Sequence, residues 1–260
     1  MHRSSKRLAM GSAKAFKRFG SLAWVAVYVV LWEGACDFLG VSKDVLPAPS
    51  RILKESVGAF PYYVWHMWLT SKVIAGGLVA ALLLAPPLAY AAHKWSLFDR
   101  MSSPLVVFSQ VIPKPALVPL FIVWFGFSSI PNYLITFLIS FYPIFANTRL
   151  GLKQMNPSYM KMMAVWKATR SQILTTIEWP SVRPFILAGL KAASVYAVIG
   201  AITSEILLSK EGLGYVIAFS ASVGNIDRVF GGIAFASVLG MAMYFLTELI
   251  ERKGLLHGQN

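Results

Sequence analysis

The stretch that decides the fold is MKMMAVWKATR, residues 160–170, which continues to Trp179 and Pro180. It is basic and rich in helix-forming residues, and it lies between two apolar runs that each suit a lipid bilayer. The next run, PSVRPFILAGLK at 180–191, returns to apolar residues at once. A membrane protein has little reason to keep about 30 such residues between spans unless a soluble partner binds them. We therefore expect this segment to be a docking element.

The composition is that of a membrane protein. Of the 260 residues, 57% are hydrophobic and only 13% are charged. Soluble domains have about 45–50% apolar and 25% charged residues. The balance predicts an all-α polytopic membrane bundle, and the length suits about six transmembrane helices.

Charge and cysteine content exclude several functions. A net charge of +13 would suggest nucleic acid in a soluble protein, but here the basic residues flank apolar runs. Membrane topology and anionic headgroups explain them, so no nucleic-acid partner is expected. The single Cys36 rules out an internal disulfide and a cysteine-based metal site. The four histidines lie far apart, and the chain has neither a nucleophile elbow nor a phosphate-binding loop. We predict no catalytic residue, no metal site and no cofactor in this chain.

The apolar runs and the basic residues together predict a topology. Spans are expected near 21–40, 69–92, 103–125, 130–148, 184–206 and 229–249. With the N-terminus inside, sixteen of the 24 lysines and arginines fall in inner segments and five in outer ones. This positive-inside bias places both termini and residues 149–183 in the cytoplasm. The run 21–40 could mimic a secretory signal, but it carries Glu33 and Asp37 and no evident cleavage site, so we expect a retained span.

The segments between the spans follow from this topology. We expect a basic cytoplasmic N-terminus at 1–20, a first transmembrane helix at 21–40, an extracytoplasmic segment at 41–65, a transmembrane domain at 66–250 and a cytoplasmic tail at 251–260. Within the outer segments, Ser50 could cap a short surface helix at 51–60. A short apolar interfacial helix is predicted at 215–223, after a break at the glycines of 212–215.

Within the docking element, two short helices are predicted with a break at 167–169. Thr169 can cap a second helix over 170–178, and Pro180 is expected to end that helix and, with Pro184, to turn the chain back into the membrane. A solvated loop is the alternative. It would leave five large apolar side chains exposed without a partner, which favours docking. These are Met160, Met162, Met163, Val165 and Trp166.

Four motifs, in this order, carry a resemblance to a known family. They are SQVIPKPALVPL at 109–120 followed by WFGF at 124–127, FYPIFANT at 141–148, the segment 161–190, and Glu205 through GLGY at 212–215. Over about residues 45–252 the chain resembles the permease subunit of binding-protein-dependent ABC importers. The branch of this family that the chain resembles serves nitrate, sulfonates, taurine, and pyrimidine or riboflavin precursors. Within that branch, the sequence of residues 113–126 is more similar to the permeases for vitamin precursors.

The resemblance implies a type I ABC importer permease fold with a cytoplasmic coupling-helix loop, in which 66–250 is the ABC transmembrane type-1 domain. It also implies a pathway for a small anionic or vitamin-precursor solute. The partners implied are a second permease copy in a homodimer, two cytoplasmic ABC ATPase subunits that bind ATP and Mg, and an extracytoplasmic solute-binding protein that docks around 41–65 and 206–227. The expected location is the bacterial inner membrane.

The family signature in the coupling loop is Glu-Ala-Ala, then a glycine and a Leu-Pro pair. Aligned on Pro180, this chain has Lys-Met-Met at 161–163 and Lys167 in place of the glycine. Because lysine does not favour positive φ, the turn could differ in shape or the helix could run through it. The expected ATPase-coupling residues are Lys161, Ala164, Trp166, Lys167, Ala168, Thr169, Arg170, Gln172 and Pro180.

A second set of residues is predicted to line the pathway or its gate. It comprises Pro113, Lys114, Pro115, Pro119, Glu205, Gly212 and Gly214. The prolines either line a cavity or only form a packing kink. Lys114 either contacts an anionic substrate or pairs structurally, and Glu205 anchors the outer gate or contacts the binding protein. The alternative function is an ion-coupled secondary transporter or channel that uses Lys114 and Glu205. A lipid-modifying enzyme would need a clustered acidic or histidine site, which the sequence lacks.

Overall fold

All regular structure in the described residues is helical, which confirms the predicted class. The computed structural model describes residues 24–38, 42 and 45–256. The helices are α1 (24–38), α2 (Pro49–Gly58), α3 (Phe60–Lys94), α4 (Ser96–Val111), a 3₁₀ turn (Lys114–Leu117), α5 (Val118–Phe125), α6 (Ile130–Lys153), α7 (Pro157–Val165), α8 (Arg170–Ile173), a π-helical turn (Leu174–Glu178), α9 (Trp179–Leu208), α10 (Leu213–Ser222) and α11 (Ile226–Leu256). The predictions for 1–20 and 257–260 lie outside the described residues.

Four helices are long and apolar enough to cross a membrane. They are Phe60–Lys94, Ile130–Lys153, Arg170–Leu208 and Ile226–Lys253, and a bent pair of helices supplies up to one more span. About six spans were expected. Most of the predicted first span forms α1, whose neighbouring residues 21–23, 39 and 40 lie outside the described part of the chain.

The third predicted span, 103–125, is not one straight helix. The helices Ser96–Val111 and Lys114–Phe125 meet at 95°. Pro113 has no N–H to continue the helix, and it disfavours helical geometry at Ile112, whose backbone is extended. The sequence indicated a bend here, but not one large enough to break the span.

The helix that re-enters the membrane is continuous through Pro180. The prediction that this proline ends a helix is wrong, because α8, the π-helical turn and α9 together run from Arg170 to Leu208. A proline ring normally clashes with the carbonyl four residues earlier. The π-helical turn Leu174–Glu178 adds a residue to the turn before Pro180, which relieves that clash. No turn separates the docking element from the following span.

The chain forms two compact units. Among the described residues, the first comprises 24–38, 42, 45–60 and 220–231, and the second comprises 61–219 and 232–256. In the first unit Ser50 is not the N-cap of α2, which is Ala48. Ser50 instead donates its backbone N–H to the Glu33 carboxylate at 3.0 Å and its hydroxyl at 2.5 Å. Glu33, on α1, therefore accepts a backbone N–H in the first turn of α2. Its negative charge also interacts favourably with the dipole of α2 at this N-terminus.

Two ion pairs join α2 to the start of α11 within the first unit. Arg51 contacts Asp227 at 2.6 Å, and Arg228 contacts Glu55 at 2.7 Å. These contacts involve side chains on segments far apart in sequence, so α2 has a defined position in this unit.

In the second unit α6 and α9 pack closely along their length. Gly189 allows the close approach: a Cβ there would lie 2.9 Å from the Pro143 carbonyl oxygen and 3.0 Å from Ile144 Cα. Near the docking element, Leu152 of α6 packs with Val182 and Ile186 of α9. The packing of α6 against α9 thus fixes the position of the start of α9, which follows directly after the docking element.

Candidate functional site

The docking element begins with a capped helix. Asn156 accepts a hydrogen bond from the Ser158 N–H at 2.9 Å, and Pro157 occupies the first turn of α7. Both features are typical of a helix N-terminus. We refer to residues 155–180, which contain α7, α8 and the π-helical turn, as the coupling segment.

Lys167 forms the turn between α7 and α8 in a left-handed conformation, with φ of 50°. The Ala168 N–H donates to the Met163 carbonyl at 3.0 Å, and the Lys167 N–H donates to the Ala164 carbonyl at 3.1 Å. This pair of bonds is a Schellman motif, with lysine where glycine is usual. Helix α7 therefore ends before the turn, and Lys167 adopts the left-handed conformation that glycine usually has at this position.

The second helix starts at the predicted cap. The Thr169 hydroxyl accepts from the Gln172 N–H at 3.3 Å, and the Gln172 side chain accepts from the Thr169 N–H at 2.8 Å. This reciprocal capping box fixes the direction in which α8 leaves the turn. The break at 167–169 and the Thr169 cap are thus confirmed.

The turn carries two exposed apolar side chains. Val165 is 80% exposed and Trp166 is 71% exposed. Met163 is buried, contrary to expectation. Lys161, Ala164, Lys167, Thr169, Arg170 and Gln172 are all exposed, and Ala168 is half-buried. The coupling segment thus exposes apolar, basic and polar side chains around the Lys167 turn.

Sequence reasoning missed the contact that joins the coupling segment to α3. Glu178, in the π-helical turn, is 2% exposed and accepts from Lys94 Nζ at 2.5 Å and from the Tyr90 hydroxyl at 2.8 Å. Lys94 also lies 5.3 Å from the centre of the Tyr90 ring. No local pattern indicates this cluster, because its partners are separated by more than 80 residues.

The bend at 112–117 places Lys114 in a groove of about 450 Å³. The Lys114 ammonium donates to the Gln110 carbonyl at 3.0 Å. We call this the Lys114 groove, and the lining residues used below are Gln110, Lys114, Tyr142, Asn147 and Tyr196. Pro113 and Pro115 lie in the bend itself, so they position Lys114 and the unwound backbone, and Pro119 lies in the first turn of α5.

Glu205, Gly212 and Gly214 come together in a buried polar cluster. The Glu205 carboxylate accepts from the Thr70 hydroxyl and from the Gly214 N–H, each at 2.9 Å. The Gly212 N–H donates to His66 Nδ1, and the Leu213 N–H donates to the Thr70 hydroxyl, each at 2.9 Å. Side chains of α3 and α9 therefore satisfy the first N–H groups of α10.

This cluster anchors α10. Glu205 is only 2% exposed, so its carboxylate does not offer a surface contact to another protein. His66 and Thr70 were not predicted, since α3 reads as a plain apolar span. Lys114 and Glu205 line different cavities, and the structure does not bring them together.

Comparisons with known proteins agree on one family. Residues 76–254 match the family described as binding-protein-dependent transport system inner membrane component. The chain is 32% identical over 224 residues to a formylaminopyrimidine transport permease protein of Halalkalibacterium halodurans, covering 86% of this chain and 89% of the relative. It is 26% identical over 243 residues to a putative aliphatic sulfonates transport permease protein of Bacillus subtilis, covering 91% and 88%.

The fold is also found among solved structures. A chain of the MetNI methionine ABC transporter, in an inward-facing conformation, matches with a TM-score of 0.63 at 15% identity. The match covers 74% of this chain and 95% of that chain. The predicted type I permease fold is thereby confirmed. The chain belongs to the family of binding-protein-dependent transport system inner membrane components, and it is a multi-pass permease subunit of an ABC importer.

Proposed function

We propose that the coupling segment inserts into a cleft of a cytoplasmic ATPase subunit and transmits its movement to the membrane helices. Two permease copies form a homodimer with two ATPase subunits, which bind ATP and Mg and carry out all hydrolysis. Closure of the ATPase pair moves both coupling segments, and the bundles alternate between inward- and outward-open states. Both termini of each copy lie in the cytoplasm.

The observation that carries this proposal is the exposed pair Val165 and Trp166 beside the Lys167 turn. An apolar surface of this kind on a defined helix end is typical of a protein contact. The surrounding residues are basic or polar, so the partner cleft should be apolar at its centre and acidic at its rim. The Glu178 contacts with Lys94 and Tyr90 then connect this surface to α3.

The substrate proposed is a small anionic solute or a vitamin precursor, delivered by an extracytoplasmic binding protein. The names of the two relatives above support this range, since one is assigned to a formylaminopyrimidine and the other to aliphatic sulfonates. The chemistry of Lys114 favours the anionic part of the range.

The test is a double substitution, Trp166→Ala with Lys167→Glu, in the permease expressed with its ATPase. We expect the variant to lose ATPase in pull-down and to lose uptake of an aliphatic sulfonate or a formylaminopyrimidine. Trp65→Ala with Lys54→Glu makes the same chemical change at exposed residues away from the coupling segment. It should retain the ATPase in pull-down, and it serves as the control for pull-down alone, because residues 41–65 are expected to contact the binding protein. Unchanged pull-down and uptake in the first variant would refute the proposal.

An ion-coupled transporter is not favoured, because the family has a permease role in ATP-driven import. Depletion of ATP separates the two functions. The proposed importer stops at once, whereas an ion-coupled transporter continues until its gradient decays.

A further inference from the structure

Building on the proposed function, we infer that the Lys114 groove is an intramembrane binding site for a monoanionic solute, such as a sulfonate or a carboxylate. Lys114 supplies the charge, while Tyr142, Asn147 and Tyr196 supply hydrogen bonds and ring surface. The permease then selects its solute within the membrane, in addition to any selection by the binding protein.

The charge in the groove has no acidic partner. None of the ion pairs among residues 24–38 and 45–253 includes Lys114. Its only hydrogen bond in this part of the chain is to the Gln110 carbonyl. An ammonium group within an apolar span is costly unless water or a counter-charge solvates it. A site that binds an anion in turn provides that counter-charge.

Other polar groups converge on the same groove from two long helices. Tyr142 lies near the middle of α6, and Tyr196 lies within the apolar part of α9. Asn147 donates its amide N–H to the Pro143 carbonyl at 2.8 Å, which leaves its side-chain oxygen without a partner among the described residues. Neither tyrosine hydroxyl makes a hydrogen bond within this part of the chain. Such groups are expensive in lipid, so they indicate a water-filled or ligand-filled space.

The unwound backbone supports the same conclusion. Residues 112–117 leave the α-helix at the 95° bend. Irregular backbone at membrane depth occurs where it is buried in protein or lines a cavity. Here it carries Lys114 directly to the groove, so the bend and the charge are parts of one arrangement.

The chemistry of the groove defines the class of ligand. One ammonium group matches one anionic group, and two phenol hydroxyls with an amide oxygen can orient neighbouring polar atoms. The two tyrosine rings offer apolar contact to the body of the solute. The volume of about 450 Å³ falls in the range of small-molecule sites.

The test uses thiol reagents of opposite charge. Cys36 is the single cysteine, so Cys36→Ser with Tyr196→Cys places the chain's one thiol in the groove. The permease–ATPase complex in membranes is treated with sulfonatoethyl methanethiosulfonate, itself a sulfonate, or with trimethylammonioethyl methanethiosulfonate. Each rate is normalised to that of a free thiol in solution. We expect the anionic reagent to react about tenfold faster after normalisation, because Lys114 attracts it.

Three further variants complete the experiment. Lys114→Gln should bring the ratio of the anionic to the cationic reagent's normalised rate to about one. Lys114→Arg should keep that ratio high, because the preference depends on the positive charge at residue 114. Lys191→Gln is the matched control: Lys191 lies on the same helix as Tyr196 but pairs with Glu251 at 3.3 Å. Its neutralisation should leave the ratio unchanged.

Two results would overturn the inference. If neither reagent modifies the thiol, the groove faces lipid. If the preference for the anion persists in Lys114→Gln, Lys114 does not set the selectivity. Pull-down of the ATPase by the same variants separates this failure from failure of the coupling proposal, because the groove residues lie outside the coupling segment.

Discussion

Lys167 shows how one residue can hold a turn at an energetic cost. A left-handed conformation costs an L-residue about 1–2 kcal/mol, and glycine avoids that cost. Lys167 nevertheless adopts φ of 50°, and both Schellman hydrogen bonds form around it. The turn is therefore determined by its surroundings rather than by the preference of the lysine.

Replacing this lysine tests that account. Lys167→Gly should raise the free energy of unfolding by about 1 kcal/mol, because glycine tolerates the left-handed conformation. The same change at Lys161, exposed within α7, should lower it by about 1 kcal/mol, since glycine disfavours a helix interior. Thermal unfolding of both purified variants measures the two shifts. Shifts of the same sign would contradict the strain at Lys167.

Glu178 is a second residue whose substitution should destabilise the protein more than the same substitution at a surface ion pair. Glu178→Gln removes a buried carboxylate that accepts from both Lys94 and Tyr90, and we expect the protein to lose about 2 kcal/mol of stability. Glu248→Gln is the matched control, because Glu248 pairs with Arg252, which is 72% exposed, and such surface pairs contribute less than about 1 kcal/mol. Denaturation of the detergent-solubilised subunit measures the free energy of unfolding of the two variants. Equal losses would mean that the Glu178 contact is no stronger than a surface pair.

At the scale of elements, the local signals in the sequence were reliable where the chemistry is local. Thr169 and Gln172 lie three residues apart, and that spacing alone specifies a capping box. Pro180 misled for a physical reason: a proline signals a helix end only if no wider turn accommodates it. The π-helical turn before it has no pattern of its own in the sequence. The bend at Pro113 was indicated, but its angle depends on packing against α6.

The cap also permits an element-scale prediction. Thr169→Ala should remove the hydroxyl that accepts from the Gln172 N–H and destabilise α8 by about 1 kcal/mol, although the backbone N–H of residue 169 can still donate to the Gln172 side chain. Hydrogen exchange at residues 170–173 should become faster. Thr175→Ala removes a hydroxyl that bonds to the Ser171 carbonyl inside the same continuous helix, and it should leave exchange nearly unchanged. Equal acceleration in the two variants would show that the box does not hold the helix start.

At the scale of the whole molecule, the candidate site depends on contacts that no local pattern can specify. His66 and Thr70 meet the start of α10 across more than 140 residues. The glycines at 212 and 214 indicated a break in the chain, but their partners come from α3 and α9. The sequence therefore predicted that the helical backbone is interrupted at 212–215, and only the fold shows which side chains contact this segment.

The anchoring of α10 gives the last prediction. Gly212 has φ of +99°, and a Cβ there would collide with the Glu205 carboxylate. Gly212→Ala should therefore break the buried hydrogen bonds as well as strain the backbone, at a cost of roughly 3 kcal/mol or more. Gly224→Ala is the matched control, since Gly224 also has positive φ, 72°, but open space around it, and it should cost only about 1 kcal/mol. The amount of monodisperse permease recovered from membranes, together with its unfolding temperature, distinguishes the two. Equal losses would show that backbone strain alone matters, and that Glu205 does not anchor the helix.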